Sequence, residues 1–382
     1  MFACNRISAD VWNDSLGIAR AYHQEHGKWI DQTLLQKATK RNYSLHSQSI
    51  QAVCHKYLQA RESAKRAKRK GFDHIRYPYK QKKHFSTKWA AQGFTLHENG
   101  KIHLSLGLHQ GKRQKPIVVS IARMPVGTVK EIELIYDRGL QLVITYDDGV
   151  PAEPASGNQL AAVDPGEVHA ITAVTEDGHA VIITGRKLRS IKRLRNLKMK
   201  ELYRHLARCK KGSRQWKKYR RALQFVLSRS ERQIRDALHK TTRAFVDWCL
   251  EHQVKEVAVG DVEGVQRNRS GRKRRKNGKR VRSRKHNQRM SQWTFGKQYA
   301  YLAYKLEAKG IQIRKQEEHG STQTCPVCNR KHKPSGRIYR CRCGYSRHRD
   351  VHGSCGILSR RLYGDIRTVV PVITEQKYLR TA

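Results

Sequence analysis

The stretch Thr324 to Ile357, TCPVCNRKHKPSGRIYRCRCGYSRHRDVHGSCGI, constrains this chain more than any other. Cys325 and Cys328 form a C-x2-C pair, and after twelve intervening residues Cys341 and Cys343 form a C-x-C pair. Two tight turns can therefore offer four thiolates to one tetrahedral zinc, with Gly336 and Gly344 placed to make the turns. The Lys and Arg residues around them should lower the thiol pKa values and favour the metal-binding form. With all four positions taken by sulfur no place is left for water, so the expected zinc is one structural ion. Seven residues past Cys343, Asp350 opens the small-residue run DVHGSCG, which would let a helix lie close to a sheet. An acid at that point is a candidate ligand of a catalytic cation.

Charge narrows the partner. The 382 residues carry 79 Lys and Arg against 31 Asp and Glu, a net charge of +48. Such a chain binds a polyanion, and nucleic acid is the first candidate. A membrane partner is not expected, since no apolar run reaches 18 residues and no N-terminal signal sequence is visible. The expected location is cytoplasmic, with Cys4, Cys54, Cys209, Cys249 and Cys355, irregularly spaced, as free thiols.

Periodicity divides the rest. From Asn5 to about Lys70 apolar residues recur every three or four positions, as in Trp12, Leu16, Ala19 and Tyr22, which predicts two or three helices over a domain spanning 1–76. The run Lys65, Arg66, Lys68, Arg69, Lys70 on the last helix reads as a track for a phosphate backbone in preference to mere solvated surface. Over 77–150 the period changes to two, with a turn signal at Asn99-Gly100, which predicts a small antiparallel barrel or sandwich. A Pro, Ala, Ser and Gly linker covers 151–158.

At Gln159 a new domain starts. An apolar strand ends in Asp164, a hairpin follows, and Lys187 to His252 reads as two long basic helices broken at KKGS. Then come the short strand VKEVAVGDV, a basic loop over 265–288, an amphipathic helix from Trp293 to Lys309 and the strand IQIRKQEE. The basic loop reads either as a solubilising insertion or as a clamp on a nucleic-acid strand. The nuclease-like part should run over 159–318, the zinc ribbon over 319–346, and a last helix with a tail over 347–382. This element order is that of the ribonuclease H-like fold, in which acids converge across the sheet to hold two Mg²⁺ ions about 4 Å apart.

The residues also carry a family resemblance. VDPGEVHAITAV resembles the first RuvC motif of the TnpB family, the transposon-encoded RNA-guided nucleases related to type V CRISPR effectors. STQTCPVC with RCRCGYSRHRDVHGSCGI resembles their zinc ribbon and third RuvC motif, and GSRQWKKYRRAL the basic helices between motifs. The resemblance spans nearly the whole chain. It implies a multidomain α+β protein: a RuvC nuclease domain with an inserted zinc ribbon, a β-barrel wedge over 77–150 and a helical recognition domain over 1–76. It further implies a guide RNA derived from the transposon end, double-stranded target DNA with its displaced strand as partners, and DNA cleavage.

Two departures bear on this. The family usually opens on a strand before its first helix, whereas this chain starts at CNRISADVWNDSL, so the wedge is expected to be incomplete at its start. The second RuvC motif usually ends its strand in Glu then Asp, but here Gly260 precedes Asp261. If position 260 faces the metals, period two turns Asp261 away, and Glu263 lies beyond the strand. Glu318, ending a neighbouring strand, fits better, because Gly260 leaves room for its longer side chain. The expected Mg²⁺ ligands are Asp164, Glu318 and Asp350, with Asp261 in reserve. A nuclease-dead, RNA-guided DNA-binding protein or transposon accessory factor is the alternative. Trp89, Trp293, Tyr299 and Tyr301 are candidates for stacking on bases, against the plainer role of core packing.

Overall fold

The computed structural model describes residues 1–382 apart from 138, 155–156, 265–283, 333, 335, 367–370 and 382. Most of the expected basic loop over 265–288 thus lies outside the described residues. The chain forms two units, Met1–Val150 and Pro151–Ala382.

In the first unit the predicted three- and four-residue period yields α1 (Phe2–His26), α2 (Gln32–Thr39) and α3 (Ser47–Arg69). α1 stops at Gly27, whose left-handed φ of 67° suits glycine, and α2 starts where Asp31 Oδ1 accepts the Leu34 N–H at 2.8 Å. The strand segment supplies β1 (Thr87–Ala90), β2 (Phe94–Leu96), β3 (Lys101–Leu104), β4 (Leu108–His109), β5 (Lys112–Arg113), β6 (Ile117–Ser120), β7 (Thr128–Tyr136) and β8 (Leu140–Asp147). They form small antiparallel sheets, β1-β7-β8, β2-β3-β6 and β4-β5. Helices and strands share one core: Trp12, Leu16, Val53 and Tyr57 pack with Trp89, Ile102, Leu104, Ile132 and Leu134. Buried polar atoms join the two segments as well, since Thr87 Oγ1 donates to Asn5 Oδ1 at 3.1 Å.

The second unit is a three-layer sandwich. Its sheet has the order β13-β12-β9-β10-β11-β16, from β9 (Gln159–Asp164), β10 (His169–Thr175), β11 (His179–Thr184), β12 (Val254–Gly260), β13 (Gln312–Gln316) and β16 (Glu375–Leu379). β9, β10 and β11 form an antiparallel meander, whereas β12 runs parallel to β9, β13 to β12 and β16 to β11. The helices are α4 (Arg186–Ala207), α5 (Arg214–Glu251), α6 (Arg284–Ser291), α7 (Phe295–Glu307) and α8 (Arg349–Tyr363). This is the ribonuclease H-like arrangement, to which the C-terminal tail adds β16 as an edge strand.

Period-two alternation sorts the sheet's residues by face. Ala161, Val163, Ile171, Ala173, Val257 and Val259 pack with Phe245 and Trp248 of α5 and with Leu302 and Leu306 of α7. Leu160, Ala162, Val174, Ile182 and Ala258 pack on the other face with Val351, Cys355, Ile357 and Leu358 of α8. By the same alternation Asp164 and Gly260 belong to the α8 face.

α8 lies tight against its surroundings because Gly353, Ser354 and Gly356 present almost no side chain. A Cβ at Gly356 would stand 2.9 Å from Ser321 O and 3.0 Å from its Cα, and Ser354 Oγ donates to Thr172 O at 2.9 Å. Gly356→Val should therefore push the helix away and cost about 1–3 kcal/mol, read as a lowered urea midpoint at unchanged m-value.

Candidate metal centres

The acids gather where the α8 face meets the ends of β9 and β12. Asp164 ends β9, and its carboxylate rests on Gly353, where a Cβ would stand 2.5 Å from Asp164 Oδ2. Asp350 sits in the first turn of α8, the end of a helix whose dipole favours an anion. Glu318 lies just beyond β13, which ends at Gln316 rather than running through Glu318 as the sequence suggested. Its Oε2 is 2.9 Å from where a Cβ on Gly260 would be, so any larger residue at 260 would meet that carboxylate. Arg360 of α8 fixes the segment by donating to Glu317 O and His319 O, both at 3.0 Å.

Electrostatics mark these groups out. Burial, then the charges of Glu318 and Asp350, push the Asp164 carboxyl well above the usual carboxylate range. Burial and the nearby Asp261 raise Glu318 to about 7. Asp350 goes the other way: burial raises it, but a hydrogen bond from His169 and the charge of Arg349 outweigh that and hold it below the ordinary value. Asp261 itself is half-exposed, 3.8 Å from Lys315 Nζ, while Glu263 is more exposed and pairs with the same lysine at 2.9 Å.

Sequence reasoning passed over His169, whose Nδ1 lies 2.7 Å from Asp350 Oδ2. Strict alternation from Ile171 puts His169 on the opposite face of β10, but the register slips between His169 and Ile171 and the alternation is lost there. Among the described residues, His169, His348 and Asp350 form one of two clusters whose ligand atoms all lie within 4.8 Å of one another.

The other cluster is Cys325, Cys328, Cys341 and Cys343. The Cys325–Cys343 and Cys328–Cys341 sulfur pairs are 3.6 and 3.4 Å apart, close to the roughly 3.8 Å edge of a tetrahedron with Zn–S bonds of about 2.3 Å. Left-handed turns at Asn329 (φ 57°) and Gly344 (φ 91°) bring each pair together; Gly336 is not among the left-handed residues. The expected effect of neighbouring Lys and Arg on the thiols is not what the structure gives. The backbone N–H of Cys343 draws Cys341 down to about 7, whereas burial pushes Cys325 up to about 12. The set suits zinc, whose binding would displace the remaining thiol protons.

The ribbon is tied to α8. β14 (Ile338–Arg340) and β15 (Ser346–His348) form its hairpin, Tyr339 stacks on His352 of α8 at 4.0 Å, and Tyr345 Oη bonds His352 Nδ1 at 3.2 Å. Of the aromatic candidates, Trp89 is fully buried and donates to Ser105 O at 2.8 Å, and Tyr301 stacks on His239 at 4.2 Å. Tyr299 packs against the α5/α7 core and Trp293 lies 5.8 Å from Phe295. No helix among the described residues is long and apolar enough to cross a membrane.

Known proteins resemble this chain in sequence over parts of its length and in fold. Residues 143–266 match the OrfB_IS605 family model, described as a probable transposase, and residues 295–357 match the Cas12f1-like TNB domain. A TnpB-like protein of Methanocaldococcus jannaschii is 26% identical over 144 residues, 37% of this chain and 48% of that protein, so the match spans about half the relative's length. The fold is similar to that in a Cas12f1-sgRNA-target DNA complex, with a TM-score of 0.62 and 13% identity over 92% of this chain and 80% of that one.

The raised Glu318 makes a prediction for protein free of divalent cations. An unfolded glutamate titrates near pH 4.3, the folded one at about 7, so between these values the folded state holds more protons and stability falls as pH rises. Glu318→Gln should flatten that fall and raise the melting temperature at pH 8 in EDTA while leaving it little changed at pH 4.

Proposed function

We propose that the chain, which is similar to TnpB-like proteins over part of its length, is an RNA-guided DNA endonuclease of a transposable element, cutting at a RuvC-type two-cation site. The observation that carries this reading is the convergence of Asp164, Glu318 and Asp350 on the α8 face of a ribonuclease H-like sheet, with Gly260 leaving space for Glu318. Buried like charges of this kind repel, and hard divalent cations relieve that repulsion.

In this reading Asp164, on which the charges of both Glu318 and Asp350 act, would hold the cations together with those two acids, while Asp261 stays paired to Lys315. Bound there, two Mg²⁺ ions would lower the pKa of an attacking water and offset charge on the leaving oxygen of a phosphodiester. The residues themselves set the position of the oxygens. Gly353 lets Asp164 approach α8, and Arg360 anchors the turn bearing Glu318. One zinc on the four cysteines is structural, holding the ribbon against His352 and so against the helix of Asp350.

Guide RNA from the transposon end, and duplex DNA with its displaced strand, are the partners that a charge of +48 supports. The helices of residues 1–76 would serve as a recognition domain and the strands of 77–150 as a wedge. We place the protein in the cytoplasm. A binding-only protein is the second reading, favoured by one observation, the absent acid at Gly260.

The decisive assay is cleavage of a guide-matched plasmid with randomised flanks, by protein purified with its co-transcribed RNA, in Mg²⁺ or EDTA. Wild type should cut only in Mg²⁺, and Asp164→Ala and Glu318→Gln should each lose at least about 100-fold in rate with RNA affinity unchanged, because affinity is spread over many Lys and Arg. Asp261→Asn should cut nearly as wild type. Guide-dependent binding with no cutting by wild type would establish the second reading instead. Cys341→Ser should lose bound zinc, measured by elemental analysis, and cleavage with it; normal zinc content and activity in that variant would rule out the ribbon assignment.

A further inference from the structure

We propose that His169 is a positioning residue, holding the Asp350 carboxylate in the orientation it needs at the cation site; this rests on the reading of Asp350 as a cation ligand. His169 Nδ1 and Asp350 Oδ2 are 2.7 Å apart, with side-chain exposures of 6% and 14%. Both groups are out of bulk water, so the contact is poorly screened and its geometry is set by packing.

Two guanidiniums compete for the same carboxylate. Arg337 Nη1 lies 3.5 Å from Oδ2 and Arg349 Nε 3.5 Å from Oδ1, and these side chains are 49% and 38% exposed. Released from His169, the carboxylate would turn toward the arginines, and its oxygens would leave the orientation in which they could hold a cation. The short bond to the imidazole prevents that rotation.

The fold holds the imidazole itself in place. The register slip between His169 and Ile171 frees His169 from the alternation of β10, and the backbone there is fastened on both sides. Gly185 N–H donates to Val168 O at 2.8 Å, and the buried Gln298 Nε2 donates to Ala170 O at 2.7 Å. Tyr378 of the C-terminal strand β16 meets the ring edge-on at 5.8 Å, and His348 lies at 5.4 Å. A buried amide of α7 and a ring from the last strand thus both serve one histidine. Partners of a metal ligand typically change metal affinity by about 10–100-fold when removed.

The test is Mn²⁺ binding, followed by electron paramagnetic resonance on the full chain with its ribbon zinc in place, alongside the Mg²⁺ dependence of plasmid cleavage. Four variants are compared: His169→Ala, His169→Phe, His169→Asn and Asp350→Asn. His169→Asn keeps a donor close to the Nδ1 position and should stay within about threefold of wild type, whereas His169→Ala and His169→Phe should raise the half-saturating cation concentration about 10–100-fold. Wild-type binding by His169→Ala, or recovery by His169→Phe but not His169→Asn, would mean that His169 only fills space, and the proposal would fall. Should His169→Ala fail to fold, judged by circular dichroism and zinc content, the Asn and Phe variants still decide it. Wild-type Mn²⁺ binding by Asp350→Asn would instead remove the cation role of Asp350, and the positioning role with it.

Discussion

The second unit depends on how closely α8 lies on its sheet. Gly353 and Gly356 remove the side chains that would otherwise keep helix and sheet apart, and each marks a contact that no Cβ could share. Asp164 lies against the first of these and the Ser321 turn against the second. Close approach then becomes an electrostatic fact. Burial by α8 deprives Asp164 of water, so the fields of Glu318 and Asp350 act on it at low effective dielectric. The packing that stabilises the fold through Val351, Ile357 and Leu358 therefore also creates the charge repulsion that a cation would relieve.

The zinc ribbon shares in this constraint. Its hairpin presents Tyr339 and Tyr345 to His352, whose ring is kept neutral because burial, with help from Arg347, holds its pKa down to about 4. A neutral ring can stack and accept a hydrogen bond without bringing further charge toward Asp350. Arg347 reaches past it to Cys355 Sγ and Pro371 O, both at 3.2 Å. Folding of the ribbon and seating of α8 are thus one event more than two, since the ribbon's own aromatic core includes a residue of the helix.

Much of this was legible in the sequence where a feature is local. The C-x2-C and C-x-C pairs give the cysteine cluster, the helix break at KKGS lies between α4 and α5, and the alternation in LAAVD and VAVG assigns Asp164 and Gly260 to one face. What escaped depends on long-range geometry. His169 was hidden because a register slip breaks the alternation on which such reading relies. β16 was hidden because EQKYL is short and polar, becoming a strand only by pairing with β11, which lies far back in the chain. The thiols were misjudged because burial, which no composition reveals, pushes Cys325 up, while the lowering of Cys341 comes first from a backbone amide and not from the basic side chains around it.

Gly260 and Glu318 form a coupled pair, and the coupling is steric before it is chemical. β12 and β13 run parallel, with Gly260 opposite Gln316, so the chain two residues on from Gln316 passes beside the end of β12. From there a glutamate side chain reaches back over position 260, and its Oε2 fills the volume that a side chain at 260 would claim. An acid on β12 and an acid at 318 cannot both occupy that space. The glycine is therefore a requirement of the arrangement with Glu318, and its presence does not by itself signify a lost acid. Asp261 lies just beyond the end of β12, 3.8 Å from Lys315 Nζ, and its backbone N–H donates to Gln316 O at 2.7 Å. Its negative charge reaches Glu318 and, after burial, helps to raise it to about 7, so Asp261 contributes to the proton affinity of the neighbouring acid.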